Sequence, residues 1–442
     1  MVIKIKNRKM AVSAVLVCIL LVLGIRFETN ADILEKKYSN TNFRREVGTL
    51  LYLTDDINTL LQEAVPKSQG KMKKQIDEFV SQRTVRPYFE DSRTKEIENV
   101  LLIQLEGVDG ITPLLRVNGK EVMPNLSRLK RTGLYFLHAY DQSGSGRTSD
   151  GEFLALTSLL PVANESMYLH YSLKNLETLP EVLADNGFHT ISLHGYEGAF
   201  YQRKKAHKEM GYQDSFFLEE LEAEAGQEDY LGWGLSDAFI LKKTAQLLSS
   251  AEEKTFVHTI LLSNHHPFDA VTNAGKDAVG ELLIENPQSI VENYFNSVHY
   301  TDACIGELLE ELKKEGILEK TLLVFFSDHD SGITREVYEY CNQEYDIEDP
   351  ESDRVVLLLY DGNTRKEETF AAGQADIMPL ILSYLGYDIP QDTMGLNYID
   401  GQKVVYKQNG NMYNGKEIRQ VLWDMDSLTK SIVNYKGAKS GK

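Results

Sequence analysis

Five short apolar runs, separated by helix-forming segments, constrain the fold of this chain more than any other feature. They are residues 99–105 (Asn-Val-Leu-Leu-Ile-Gln-Leu), 189–193, 255–262, 321–326 and 355–360. Runs of this kind, without a polar face, are strands buried on both sides. Between them, residues 123–132, 178–186, 235–249 and 290–315 place apolar side chains at helical spacing. Strands alternating with amphipathic helices predict an α/β domain whose largely parallel central sheet is sandwiched by helices. Past Gly386 the pattern turns to short strands and Asn-Gly turns at 409–410 and 414–415, predicting a small antiparallel C-terminal subdomain over about 387–430. Residues 431–442 read as a tail.

The N-terminus has a different texture. Lys4, Lys6, Arg8 and Lys9 form a basic run over residues 1–9, followed by a mostly apolar stretch from Met10 that Arg26 closes. A short membrane helix over 10–26 fits, retained as an anchor or removed as a signal peptide at the weak cleavage pattern Thr29-Asn30-Ala31. The retained anchor is the preferred reading. Either way the positive-inside rule puts the rest of the chain outside the cytoplasm: on the cell membrane with a single pass if the anchor is retained, released if it is cut after residue 31. Residues 27–96 are polar and helix-prone, and read as a stalk leading to the main domain at 97–430. The 442 residues sum to a net charge of −19, which argues against nucleic acid as a partner and against bulk attraction to anionic lipid. The chain has three cysteines, too few for a disulfide scaffold. Cys304 and Cys341 are left open as a pair or as free thiols.

In open α/β sheets, sites collect beyond the carboxyl ends of the strands. The run at 99–105 ends in Glu106, that at 255–262 leads to Asn264-His265-His266, and that at 321–326 leads to Asp328-His329-Asp330. Glu106, Asp328 and His329 offer carboxylate and imidazole donors suited to one divalent cation. A further element, Ser143-Gly-Ser-Gly-Arg-Thr-Ser-Asp-Gly-Glu-Phe153, runs small residues into an apolar helical pattern. Ser149 with Glu152 fits a capping box, which predicts free backbone N–H groups around Thr148 at the helix start. A threonine hydroxyl becomes a nucleophile when a metal helps deprotonate it. Arg147 beside it would add charge toward a transferred group.

Five segments in order, Gln104-Leu-Glu106, Gly146-Arg-Thr-Ser-Asp-Gly-Glu-Phe153, His194-Gly-Tyr-Glu-Gly-Ala-Phe-Tyr-Gln-Arg203, Ser263-Asn-His-His-Pro-Phe268 and Ser327-Asp-His329, resemble lipoteichoic acid synthases. These are phosphoglycerol transferases within the alkaline phosphatase and sulfatase superfamily. Gly373-Gln-Ala-Asp-Ile-Met-Pro379 is similar to that family as well. The resemblance implies Thr148 as the nucleophile, and Glu106, Thr148, Asp328 and His329 as ligands of one divalent ion, typically Mn²⁺, with Mg²⁺ the alternative. It implies that His265 binds substrate and assists proton transfer, while Tyr201 and Arg203 contact glycerol-phosphate, Arg203 through a bidentate grip. The implied donor is phosphatidylglycerol, and the acceptor a glycolipid or a polyglycerol-phosphate chain.

The chain departs from the family pattern at Tyr201 (tryptophan is usual), Arg147 (lysine), Asp330-Ser331 (Tyr-Gly) and 352–355, which lacks a His-Val-Pro motif. These departures bear on acceptor choice. Two other readings stand beside the first: a phosphoethanolamine transferase or phosphodiesterase of the same superfamily, and a non-catalytic surface protein that binds glycerol-phosphate polymer. A formylglycine-dependent sulfatase is disfavoured, since Ser143–Phe153 contains no CxPxR-like context.

Overall fold

The apolar runs pair side by side as the core of one sheet. In this computed structural model the described residues are 69–89, 96–163, 165–345, 353–407, 411–414, 417–420 and 424–438. The basic run, the apolar segment at 10–26, the cleavage pattern and the stalk up to residue 68 lie outside them. The strands of the main sheet are β1 Asn99–Leu105, β2 Leu134–Tyr140, β3 His189–His194, β4 Asp214–Phe216, β5 Thr255–Ile260, β6 Thr321–Ser327, β7 Leu357–Tyr360 and β8 Lys366–Gly373. Their spatial order is β8-β2-β7-β6-β1-β5-β3-β4. Every pairing is parallel except the two made by β7, which runs against β6 and β2. The largely parallel sheet expected from sequence is present. β2, β4 and β8 were not expected: β2 mixes Tyr and His into its run, β4 is short, and β8 opens on Lys-Glu-Glu at the sheet edge.

The principal helices are α1 Gln69–Ser81, α2 Pro124–Thr132, α3 Thr148–Thr157, α4 Leu179–Asp185, α5 Arg203–Glu209, α6 Asp237–Ser249, α7 Ile290–Lys314, α8 Ile377–Leu385 and α9 Met425–Gly437. They cover both faces. Alternate residues of β1 divide between the layers: Val100 and Leu102 pack with α3, α4, α8 and α9, while Leu101, Ile103 and Leu105 pack with α2, α6 and α7. The period-two geometry of a strand produces this split and explains why β1 has no polar face.

Two boundaries differ from the sequence reading. The end of the segment read as a stalk lies on the domain: Phe79 and Phe89 are buried in its core, and Gln75 exchanges hydrogen bonds with Ser427 and Ser431 of α9 at 3.2 and 2.9 Å. The segment from 431, read as a tail, continues α9 as far as Gly437, with Ile432 and Val433 buried. Apolar burial holds both ends, and scattered apolar residues in a polar stretch gave little warning of it. After α8, Asn397–Ile399, Gln402–Tyr406, Asn411–Asn414 and Glu417–Gln420 form an antiparallel meander, which Thr84–Val85 joins at its edge. Cys304, buried in α7, and Cys341 are free thiols.

The packing that matters most for the site is α3 against the end of β6. A Cβ added at Gly151 would lie 2.7 Å from the Cα, Cβ and carbonyl oxygen of Asp328. Backbone cannot swing aside as a side-chain tip can. Gly151→Ala is therefore expected to push α3 away from β6 and to destabilise the fold by ~1–3 kcal/mol, read as a lower urea midpoint. An unchanged midpoint would contradict this contact.

Candidate active site

Sheet register brings the sequence-predicted residues together. Ser327 pairs with Leu105, so the next residues, Asp328 and Glu106, leave adjacent parallel strands at the same end. The loop after β2 brings Thr148 to them at the first position of α3. Thr148 Oγ1 lies 3.3 Å from Glu106 Oε2 and 3.5 Å from His329 Nε2. His329 Nε2 is 3.4 Å from Glu106 Oε1 and 3.7 Å from Asp328 Oδ1. Glu106, Asp328 and His329 are all buried, and one ligand atom from each lies within 4.8 Å of the others.

Neighbouring groups orient these donors. Asp330 O accepts the Nδ1–H of His329 at 2.6 Å, which fixes the ring orientation and directs Nε2 toward Glu106. Gly107 N–H and His329 N–H hold Asp328 Oδ1, each at 2.9 Å, and Asn264 Nδ2 holds the Glu106 carbonyl at 2.8 Å. Burial opposes charge on Glu106, but the hydrogen bond and charge of His329 keep its carboxyl well below the usual range. Burial and then the Glu106 charge push Asp328 up to about 8. Burial opposes charge on His329, but attraction to Asp328 together with the hydrogen bond and charge of Glu106 raises it to about 9. Two carboxylates pressed together and balanced by one imidazole form a donor set that a divalent cation would complete.

The helix start differs from its sequence reading. Ser149 and Glu152 form no capping box. Arg147, at φ 45°, occupies the cap position, Ser149 Oγ donates to Gly146 O, and Glu152 points inward. The N–H groups of Ser149, Asp150 and Gly151 are taken by the carbonyls of Gly146 and Arg147, so they are not available to an anion. Asp150 turns back instead to accept from Gly144 and Gly146 N–H at 3.0 and 2.9 Å. The backbone strain at Arg147 sits directly before the candidate nucleophile, where such strain commonly serves positioning.

A cavity of about 270 Å³ opens beside this cluster. It is lined by Glu106, Thr148, His329, Arg147, Tyr201, Arg203 and His265, and also by His194, Asn264 and Trp233. All eight site residues expected from sequence thus border the site: seven line the cavity, and Asp328 lies beneath it. Arg147 Nη2 is held by Asp330 O and Oδ1 at 2.9 Å. Tyr201 is buried at φ 54°, and burial pushes its phenol up. His265 donates Nδ1–H to His266 O at 2.9 Å and packs on Trp233 with ring centres 4.1 Å apart.

Arg203 corrects an expectation. Its Nε and Nη2 are committed to Glu152 at 2.8–3.2 Å, so a bidentate grip on phosphate through that edge is closed. Only Nη1 is without a protein partner among the described residues. His194 and Trp233 carry no role in the sequence reading, and Asn264 enters it only as a polar residue beyond a strand end. His194 is the last residue of β3, and the strand-end rule would have found it had that strand been extended by one residue. Burial, with the Arg203 charge adding to it, pushes His194 down to about 3. A second acidic group, Asp141, Asp330 and Asp353, is already matched by Lys407 on Asp353 and Arg147 on Asp330.

The Sulfatase family model matches residues 98–387. The chain belongs to the Sulfatase family. The chain is similar to Lipoteichoic acid synthase 2 of Bacillus subtilis (strain 168), 28% identical over 359 residues, covering 78% of this chain and 52% of the relative. It is also 28% identical, over 330 residues, to the Lipoteichoic acid synthase of Staphylococcus saprophyticus, covering 70% of this chain and 48% of the relative. The chain thus spans about half the length of the curated relatives it matches. Of solved structures, the lipoteichoic acid synthase LtaP from Listeria monocytogenes superposes with a TM-score of 0.68 at 21% identity, over 84% of this chain and 98% of that one. The Streptococcus pyogenes phosphoglycerol transferase GacH, in complex with sn-glycerol-1-phosphate, gives 0.54 at 16%, over 84% and 93%. These likenesses establish a shared Sulfatase-family fold with a largely parallel sheet.

Proposed function

We propose that the chain is a metal-dependent phosphoglycerol transferase of lipoteichoic acid synthesis, moving glycerol-phosphate from phosphatidylglycerol to a glycolipid or polyglycerol-phosphate acceptor. One observation carries this reading: the Thr148 hydroxyl sits at 3.3–3.5 Å from Glu106 and His329, beside a cavity that Arg203 and His265 also line. Glu106, Asp328, His329 and Thr148 would hold one divalent ion, Mn²⁺ or Mg²⁺, which supplies positive charge to favour the deprotonated threonine and the phosphoryl oxygens.

In the first step Thr148 Oγ attacks phosphorus, the bond to the diacylglycerol oxygen breaks, and glycerol-phosphate stays on Thr148. In the second, an acceptor hydroxyl attacks the same phosphorus and frees Thr148. Arg203 Nη1 and Arg147 bind phosphoryl oxygens, with Tyr201 against the glycerol. His265, whose Nδ1–H is fixed by His266 O, enters the first step with a second proton on Nε2, gives it to the leaving diacylglycerol oxygen, and takes one back from the acceptor hydroxyl in the second step.

Among the described residues no helix is long and apolar enough to cross a membrane. The basic run and the apolar segment at 10–26 support an anchor next to the lipid donor, with the domain outside the cell. The full chain in detergent micelles, given MnCl₂ and phosphatidylglycerol labelled in its headgroup glycerol, is expected to release diacylglycerol and pass label to glycolipid. Consumption of phosphatidylethanolamine instead would favour the phosphoethanolamine reading. No lipid turnover with any divalent metal would overturn transfer and favour a binding protein.

A further inference from the structure

We infer that Glu152 is a positioning residue that ties the phosphate-gripping Arg203 to the helix carrying the nucleophile. The inference rests on the proposed contact between Arg203 and the phosphoryl group. Thr148 and Glu152 are four residues apart on α3, and Arg203 and His207 are four apart on α5, so each pair shares one helix face. Glu152 joins the two faces. Its carboxylate accepts from Arg203 Nε at 2.9 Å and Nη2 at 2.8 Å, from His207 Nε2 at 2.8 Å and from Tyr168 OH at 3.2 Å. Arg203 and Glu152 are 2% and 0% exposed.

A buried ion pair adds little to stability over an apolar pair of the same size. Its use here is geometric. With one edge of the guanidinium locked on Glu152, Nη1 is the nitrogen left without a partner among the described residues, on a side chain that lines the cavity and whose place is set by α3. His207 tightens the arrangement, since Ser192 Oγ on β3 lies 2.9 Å from its Nδ1. Glu152 does not itself line the cavity; it acts through Arg203, which does. The same strut explains why Thr148 and Arg203, 55 residues apart in a chain of 442, keep a fixed relation across the cavity.

A double-mutant cycle on the full chain tests this. Arg203→Ala is expected to lower kcat/KM ~100-fold and Glu152→Gln ~30-fold, since small misplacements at a reacting centre carry losses of this order. The double variant should fall no more than ~3-fold below Arg203→Ala, because residues acting as a unit are not additive. Calorimetry with sn-glycerol 1-phosphate should follow the same pattern, with affinity lost in Glu152→Gln and no further loss in the double variant. Losses that multiply, or a Glu152→Gln variant within ~3-fold of the parent, would overturn the positioning role. If Glu152→Gln does not fold, Tyr168→Phe leaves the ion pair intact. It should slow the parent and leave the Arg203→Ala background unchanged, and an equal effect in both backgrounds would overturn the inference. Full activity of Arg203→Ala would instead remove the phosphate-contact reading on which it rests.

Discussion

Thr148→Ala is expected to reduce transfer on the order of 10⁴-fold or more, as loss of a nucleophile does, with little change in folding. The hydroxyl makes no capping bond for α3; its contacts are Glu106 at 3.3 Å and His329 at 3.5 Å. Losing one long hydrogen bond costs ~1 kcal/mol, which the backbone bonds of the first helical turn would absorb. Thr148→Ser keeps the oxygen and should retain measurable rate, since only a methyl group is lost. Diacylglycerol release by the three proteins, with urea midpoints measured alongside, separates a chemical from a structural role. A Thr148→Ala rate within tenfold of the parent would mean that another group accepts the glycerol-phosphate. Mass spectrometry of quenched enzyme should find the added glycerol-phosphate on the parent peptide containing Thr148, and not on the alanine variant.

How far the site could be read in advance depended on whether each residue's role is local. Glu106, Asp328 and His329 follow buried strands directly, and parallel register carries them to one place without further information. The antiparallel direction of β7 is invisible in an apolar run, because a buried strand looks the same in either sense. Glu152 shows the opposite failure. Its spacing from Ser149 matches a capping box, yet a partner 51 residues away claimed its carboxylate. A tertiary ion pair outweighs a local cap, and nothing within one helical turn of Glu152 announces it. The burial of Phe79 and Phe89 was missed for a related reason: two aromatics in a polar segment anchor it only if a groove elsewhere receives them.

Asp328→Asn should separate metal binding from folding, with opposite signs on the two. The folded-state pKa of Asp328 stands at about 8, raised first by burial and then by Glu106, above the ~3.9 of an unfolded aspartate. A group raised in this way contributes stability that is full below the unfolded value and is lost as pH climbs toward the folded one. Metal-free parent protein therefore loses part of its stability between about pH 4 and pH 8 through this residue. Asparagine resembles the protonated form and lacks that loss. The variant should unfold no earlier than the metal-free parent at pH 7, and later than it at pH 8. Adding Mn²⁺ reverses the order. A cation held by the native state alone adds ~2.7 kcal/mol at a hundredfold excess over its Kd, and the parent should gain this while the variant gains almost none. Transfer by the variant should drop on the order of 10³-fold, matching the several kcal/mol of charge stabilisation that a catalytic ion supplies. Thermal unfolding at both pH values, with and without MnCl₂, reads all three effects in one series. An Mn²⁺-induced shift in the variant equal to that of the parent would place the ion elsewhere and break the link between Asp328 and the proposed chemistry.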